Sequence, residues 1–328
     1  MRFLIAGFGS IGRRHLRNLR ALGHNDVILY RTHRSTLSEE EIAGVPVETS
    51  LAAALERKPE GVIVANPTAL HLEVAQAAVN AGCPVLIEKP VSDSLTGVDL
   101  LAETARIKGV PILVGYQFRF HPGLQTIRRW LAEEKIGRLV SFRCLWGEYL
   151  PDWHPWEDYR LSYAARSDLG GGVVNTLSHP LDYLRWLFGG LQSLWAYAGK
   201  VSSLEMDVED AAEIGLHFTQ GLFGSLHLDY LRRPPAHTLE ITGENGLIQW
   251  DNADGCAILQ QADPSKIEKA APPEGFERNQ LFITELEHFI QVIRREADPV
   301  CTLGDGVAAL ETCRAVLESA EEQRMIKF

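Results

Sequence analysis

Arg2-Phe3-Leu4-Ile5-Ala6-Gly7-Phe8-Gly9-Ser10-Ile11-Gly12-Arg13-Arg14-His15 decides how the rest of the chain is read. Arg2 to Ala6 is a short apolar run that predicts a strand. It opens on Gly7-Phe8-Gly9-Ser10-Ile11-Gly12, a G-x-G-x-x-G turn. Ile11, Leu16, Leu19 and Leu22 share roughly one face at helical spacing, so Ile11 to Leu22 predicts a helix after the turn. In that context each glycine has a task. Gly7 permits the tight turn, Gly9 lets a pyrophosphate approach the backbone, and Gly12 lets helix and strand pack closely. The helix N-terminus adds free N–H groups and partial positive charge for the anion. The turn therefore predicts a dinucleotide site at Gly7, Phe8, Gly9, Ser10, Ile11 and Gly12.

Working outward, strands and helices alternate. Strands are expected at Val27–Tyr30, Gly61–Ala65, Val85–Ile87 and Ile112–Val114. Helices are expected at Leu51–Arg57, after Thr68 as its cap, and at Leu95–Ile107. Runs that are apolar on both sides mean a parallel sheet covered on both faces. After Tyr116 the rhythm changes. A helix at Leu124–Glu134 and a strand at Leu139–Leu145 lead to three glycines at 170–172 and a helix running to about Phe188. Alternating strands then occupy Leu191 to about Leu259, and two last helices run from about Asn279 to Arg295 and Gly304 to Arg324. The fold class is α/β. Residues 1–120 form a doubly wound Rossmann domain, and 121–328 form an α+β domain with an open, mostly antiparallel sheet. The sequence does not say on which domain the last helices pack.

The end of the second strand chooses between dinucleotides. An acid there would hold a ribose 2′-OH, but it reads Tyr30-Arg31-Thr32-His33-Arg34, and the nearest acid, Asp26, lies at the wrong end. Guanidinium pairs well with phosphate oxygens, so Arg31, Thr32 and Arg34 favour NADP(H), with NAD(H) the alternative. The bland alternative for both arginines is a solvated surface charge.

Composition excludes several classes. The 328 residues carry 32 Lys and Arg against 43 Asp and Glu, a net charge of −11, the wrong sign for neutralising nucleic-acid phosphates. No apolar run reaches the roughly 18 residues of a membrane span. The apolar part of the opening is also too short for a signal peptide. The five cysteines, Cys83, Cys144, Cys256, Cys301 and Cys313, have no metal-ligand spacing and fit reduced thiols in a cytoplasm. No metal site is expected, and a zinc dehydrogenase is disfavoured.

Two stretches carry residues suited to proton chemistry. In Glu88-Lys89-Pro90, a lysine at a strand end can orient a hydroxyl and move its proton. Glu88 would hold its ammonium, and the alternative is a surface ion pair. In Gly170-Gly171-Gly172-Val173-Val174-Asn175-Thr176-Leu177-Ser178-His179-Pro180-Leu181-Asp182, Asn175 and His179 would share one helical face, with Asp182 nearby. His179 titrates near neutrality; its alternative is a structural histidine.

GFGSIG at 7–12, NPTALHLEVAQAAVNAGCPVLIEKP at 66–90 and GGGVVNTLSHPLDY at 170–183 stand in the order and spacing of one family. Over essentially its full length the chain resembles the glucose-fructose oxidoreductase / inositol dehydrogenase / rhizopine catabolism (Gfo/Idh/MocA) family. The resemblance implies reversible oxidation of a sugar or cyclitol hydroxyl with a nicotinamide cofactor, in a homodimer or homotetramer. It makes Lys89 the lysine on the reacting hydroxyl and His179 the proton-transferring histidine. It places Asn66, Pro67, Thr68, His71 and Glu88 on the cofactor side, and makes Arg119 a supporting residue, with His121 beside it. The family commonly has an aspartate where this chain has Asn175, and an amide cannot act as a base.

The segment GEYLPDWHPWEDYRLSYAARSD, 147–168, is dense in aromatic rings, acids and arginines. Rings stack on sugar faces and polar groups take hydroxyls, so Tyr163, Arg160 and Arg166 are candidate substrate contacts, with a packing loop as the alternative; outside the segment, Arg119, Asn175 and Asp182 are further candidates. The expectation is an NAD(P)-dependent dehydrogenase or reductase acting on a sugar, cyclitol, sugar acid or nucleotide sugar. Its alternatives are a cofactor-recycling enzyme that oxidises its sugar transiently, and a non-catalytic NADP-binding sensor or partner subunit.

Overall fold

A computed structural model describes residues 1–32, 42–155, 157–263 and 265–328. Along the chain run β1 (Arg2–Ala6), α1 (Ser10–Ala21), β2 (Asp26–Tyr30), β3 (Val47–Glu48), α2 (Leu51–Glu56), β4 (Gly61–Val64), α3 (His71–Asn80), β5 (Val85–Glu88), α4 (Val98–Lys108) and β6 (Ile112–Gly115). Then follow α5 (Pro122–Ala132), β7 (Leu139–Gly147), α6 (Val173–Thr176), α7 (His179–Phe188), β8 (Leu191–Gly199), β9 (Ala211–Phe218), β10 (Phe223–Asp229), β11 (Ala236–Gly243), β12 (Gly246–Asp251), β13 (Ala257–Gln261), β14 (Ile267–Ala270), α8 (Arg278–Ile293), α9 (Leu303–Glu322) and β15 (Ile326–Lys327). These elements fall into two compact units, Met1–Gln117 with Glu277–Leu310, and Phe118–Phe276 with Glu311–Phe328.

The first unit is a parallel sheet in the order β3-β2-β1-β4-β5-β6. Its strands read as unbroken apolar runs because both faces are covered. Phe3, Ile5, Ile63, Leu86 and Leu113 pack with Leu16, Leu19, Leu286 and Phe289 on one side. Leu4, Val62, Val64, Val85 and Ile87 pack with Val74, Ala75 and Leu101 on the other. α8 thus belongs to this unit and packs beside α1. The strand order reverses between β1 and β4, and in such sheets ligands lie beyond the carboxyl ends at that point.

The second unit holds a nine-stranded sheet, β14-β13-β12-β11-β7-β10-β9-β8-β15. Its pairs are antiparallel except β7 with β10. One face packs on α5 to α7 through Phe142, Phe188, Phe218, Leu184 and Tyr183. Alternate residues of β9 turn away from that core, which accounts for the alternation in its sequence.

Several boundaries differ from the sequence expectation for local reasons. The helix expected from Leu95 starts at Val98, because Gly97, at φ 86°, forms its N-cap. Thr68 makes no cap hydrogen bond and instead opens a 3-10 turn ahead of α3. The single helix expected up to Phe188 is two helices, α6 and α7, parted at Leu177 and Ser178. Pro180 lies in the first turn of α7; its ring has no N–H and would clash with a carbonyl four residues back, so α6 cannot run on through it.

His121 is the N-cap of α5. Its Nδ1 accepts the Gly123 N–H at 3.1 Å, and its ring meets Trp250 edge-on at 5.0 Å. Burial pushes its pKa down to about 4. A neutral-only histidine adds stability above its unfolded pKa of about 6.5 that is lost as pH falls towards the folded value. We expect the wild type to lose about 1–3 kcal/mol more between pH 6.5 and 4 than His121→Asn, whose amide oxygen keeps the cap, in paired denaturant titrations.

Candidate functional site

In the first unit the glycine turn follows β1 directly, and the Gly7 N–H donates to the Tyr30 carbonyl at 2.9 Å. Gly7, at φ 93°, passes so close to the next strand end that a Cβ there would lie 2.5 Å from the Asn66 nitrogen. A Cβ at Gly12 would collide with the Gly7 carbonyl. Gly9 is different: nothing lies within 4 Å of its Cβ position, and it is exposed with Ser10. Gly9 is the N-cap of α1, no side chain caps this end, and the first turn holds no acid. Phe8 is buried under the Arg13 guanidinium at 4.5 Å.

The loop after β4 lies against the glycine turn at Gly7. Asn66 donates its Nδ2 to the Leu70 carbonyl at 3.1 Å, while its Oδ1 is buried without a partner among the described residues. An orphan acceptor beside an open glycine turn fits a ligand hydroxyl. Buried His71 has Nδ1 2.9 Å from the Pro90 carbonyl and Nε2 2.9 Å from the Asn66 carbonyl. Burial lowers its pKa against the pull of those carbonyls. Its ring braces the Asn66 loop, with Pro67 and Thr68, against the turn that carries Lys89.

Glu88 ends β5, the Lys89–Pro90 peptide is cis, and Lys89 is half-buried. Glu88 has a partner that the sequence reading did not name. Its Oε1 lies 2.7 Å from His15 Nε2 of α1, with both groups buried. Successive residues at a strand end leave by opposite faces, so Glu88 turns to α1. At the end of β2, Arg31 is 5 % exposed, with its guanidinium 6.0 Å from the Phe8 ring centre. Thr32 is exposed, and Arg34 lies outside the described residues. Asp26 pairs with Arg2 at 3.1 Å at the far end of the strand.

In the second unit Phe118 is the hub of an aromatic cluster. His179 lies 5.0 Å from its ring and 5.6 Å from Trp146, and His237 stacks on Trp146 at 4.3 Å. Tyr183 Oη joins His237 Nε2 and Cys144 Sγ, each at 3.0 Å. Arg119 and Asp182 meet as a buried bidentate ion pair at 3.0 and 2.7 Å. That pair ties the segment before α5 to α7.

Asn175 sits on the short α6 and His179 at the start of α7, so they do not share one continuous helix. Asn175 Nδ2 points at the Gly170 and Gly171 carbonyls, each at 3.3 Å, and its Oδ1 is buried without a partner among the described residues. A carboxylate would face those two carbonyls with no proton to give, which explains an amide here. The glycines are tightly held: a Cβ at Gly171 would strike the Tyr163 carbonyl, and one at Gly172 the Glu209 carboxylate. Glu209 clamps α6, accepting the Val174 N–H on Oε1 at 3.1 Å and the Val173 N–H on its main-chain oxygen at 3.0 Å.

The arginines of the aromatic segment are already matched. Arg160 pairs with Asp158 at 2.8 Å and Glu205 at 2.7 Å, and Arg166 pairs with Asp168 at 2.6 Å, all at the surface. His15, His237, Tyr183 and Glu209 were not singled out from the sequence. His237 alone had a usable signal, an inward position in the alternation of β11. Among the described residues no group of His, Cys, Asp and Glu is placed to hold a metal, and no helix is long and apolar enough to cross a membrane.

Known proteins with the same features are numerous. Residues 1–116 match the model of an oxidoreductase family with an NAD-binding Rossmann fold, and residues 124–249 match the GFO/IDH/MocA C-terminal domain. The chain is 25 % identical to the myo-inositol 2-dehydrogenase of Thermotoga maritima, covering 100 % of this chain and 98 % of that protein. It is 26 % identical to the D-apiose dehydrogenase of Paraburkholderia graminis, over 92 % and 76 % of the two. To the myo-inositol dehydrogenase Hyg17 of Streptomyces leeuwenhoekii it is 29 % identical, spanning about half of each protein, 58 % of this chain and 56 % of that one. The fold superposes on the WlbA dehydrogenase from Bordetella pertussis in complex with NADH and UDP-GlcNAcA, with a TM-score of 0.83, 22 % identity and coverage of 100 % and 98 %. It superposes on levoglucosan dehydrogenase in complex with NADH and levoglucosan, with a TM-score of 0.88, 19 % identity and coverage of 100 % and 99 %. With both halves matched, the chain belongs to the GFO/IDH/MocA family of NAD(P)-binding oxidoreductases.

Proposed function

We propose that this chain interconverts a hydroxyl and a keto group on a sugar, cyclitol, sugar acid or nucleotide sugar, with NADP(H) favoured over NAD(H). The observation that carries the reading is the cleft at the ends of β1 and β4. It has an open Gly9, an uncapped helix N-terminus and an orphan Asn66 oxygen beside the strand end that delivers Lys89. Gly7 to Gly12 would hold the pyrophosphate, and Asn66 a ribose hydroxyl. A bound nicotinamide supplies hydride acceptance or donation.

The chain supplies proton handling and orientation. In oxidation the carbinol C–H leaves as hydride while the O–H proton passes to Lys89 or His179; reduction reverses both. Lys89 suits this role because it leaves the end of a buried strand with its backbone braced by His71. His179 suits it because an aromatic wall of Phe118 and Trp146 fixes its ring. Arg119 and Asp182 are committed to each other, so their part is to hold α7 in place. Relatives that act on myo-inositol and D-apiose, both polyhydroxylated, support the substrate class.

The preference for NADP(H) rests on Arg31 and on the lack of an acid at the end of β2, Asp26 being tied to Arg2. Fluorescence titration of the reduced cofactors should give the lower dissociation constant for NADPH, with Arg31→Ala shrinking the preference by about tenfold or more, a charge-assisted pair's worth. Tighter binding of NADH would overturn the preference. On a panel of sugars and cyclitols, Lys89→Met should lower kcat by about 10²-fold or more while moving the cofactor dissociation constant little. Unaltered turnover would remove Lys89 from the mechanism.

A further inference from the structure

The row of polar residues at the carboxyl ends of the parallel strands does not stop at Lys89. β4, β5 and β6 are neighbours, with Val64 paired to Ile87 and Glu88 to Gly115. Asn66 follows the end of β4 by two residues, Lys89 follows β5 by one, and Gln117 follows β6 by two. Gly115 keeps the last pairing close, since a Cβ there would lie 3.3 Å from the Glu88 Cα and 3.2 Å from its Oε2. Lys89 therefore leaves the sheet on the strand between two amides, at the end that also carries the glycine turn.

The two turns at β5 and β6 are held from behind. The Tyr116 N–H donates to the Val114 carbonyl at 2.8 Å, so the chain bends at once after β6, and Gln117 opens a 3-10 turn. The Val114 N–H donates to the Cys301 carbonyl at 3.0 Å. Gly306 of α9 then packs so tightly that a Cβ would lie 2.6 Å from the Val91 side chain and 2.7 Å from that of Val114.

On this braced edge the two amides each lack a donor. Gln117 is 3 % exposed, and its Oε1 is buried with no hydrogen-bond partner among the described residues. The same is true of Asn66 Oδ1. A buried amide oxygen without a donor lowers stability, and Leu or Met would fill much the same volume without that loss. The donor that Gln117 lacks is one that a ligand can bring.

We propose that Gln117 orients the nicotinamide of the cofactor by accepting an N–H from its carboxamide. This rests on the reading of the first unit as a nicotinamide dinucleotide site. The strand order gives the direction. With the pyrophosphate at the turn after β1 and a ribose hydroxyl on Asn66 after β4, the nicotinamide continues towards β5 and β6. Neighbouring strands are about 5 Å apart, which sets the β6 end about 10 Å beyond that of β4. At that end of the cofactor the carboxamide is the group with an N–H to give. Holding it stops the ring from turning about its ribose bond, so that one face is kept towards the substrate.

The test is Gln117→Leu in the full-length protein, with Gln117→Met as the second variant. Without ligand both should melt at or above the wild type, because a buried unpaired oxygen is removed. Calorimetric titration should show NADPH and NADH binding about three- to tenfold more weakly to either variant, the worth of one buried hydrogen bond. ADP-ribose and its 2′-phosphate, which lack the nicotinamide, should bind wild type and variants alike. The 3-acetylpyridine analogues of the two cofactors carry a methyl ketone with no N–H. They should bind the wild type more weakly than the natural cofactors by a similar factor, and Gln117→Leu should bind analogue and cofactor equally. Undiminished cofactor binding in the variants would overturn the proposal. So would an equal loss for ADP-ribose, or a lowered melting temperature in both variants. If the wild type binds ADP-ribose and the cofactors and only these variant results fail, the dinucleotide reading stands without Gln117. A wild type that binds none of these compounds overturns that reading and the proposal together.

Discussion

The contact on which the structure depends is the close passage of the Gly7 backbone against Asn66, where the first and fourth strands end side by side. A side chain at Gly7 would overlap the Asn66 main chain, and one at Gly12 would strike the Gly7 carbonyl. With both positions bare, the chain turns from strand to helix in the fewest residues, and the helix N-terminus comes to face the cleft. Everything proposed for the site follows from that placement. The cleft is open at Gly9, lined by the Asn66 loop, and adjacent to the strand end that carries Lys89.

In each unit, buried polar groups brace the backbone. His71 joins the carbonyls of Asn66 and Pro90, His15 takes Glu88, and in the other unit Arg119 takes Asp182. Each pair is buried, and removing one partner would strand the other without water. Such groups bring in little net stability, yet they allow few alternative arrangements of the loops they tie. The two residues proposed to handle the proton follow the same logic. His179 is held by rings, Lys89 by the strand and turn beneath it.

The glycine turn, the parallel sheet and the antiparallel second sheet were legible in the sequence because each leaves a local signature of period or spacing. What was illegible depends on distant packing. Nothing in Glu88-Lys89-Pro90 says that Glu88 faces His15, 73 residues earlier in the chain. Nothing near Arg119 says that it pairs with Asp182, and nothing near Arg160 says that Glu205, 45 residues on, joins Asp158 on its guanidinium. The helix from Val173 to Phe188 was drawn as one because its apolar pattern continues, although Pro180 carried the signal for the break. Asn175 read as a departure in chemistry; the structure gives it a backbone task that an ionised carboxylate cannot perform.

The central claim is that a dinucleotide lies against the amides after the first strand, and Gly9→Val tests it most directly. Gly9 has ordinary extended backbone, and nothing lies within 4 Å of its Cβ position, so the variant should fold and melt as the wild type does. The added side chain would stand where the pyrophosphate approaches. The account predicts that calorimetric titration shows NADPH and NADH binding to the wild type and neither binding to folded Gly9→Val. Equal affinity of wild type and variant, or a wild type that binds neither dinucleotide, would contradict it.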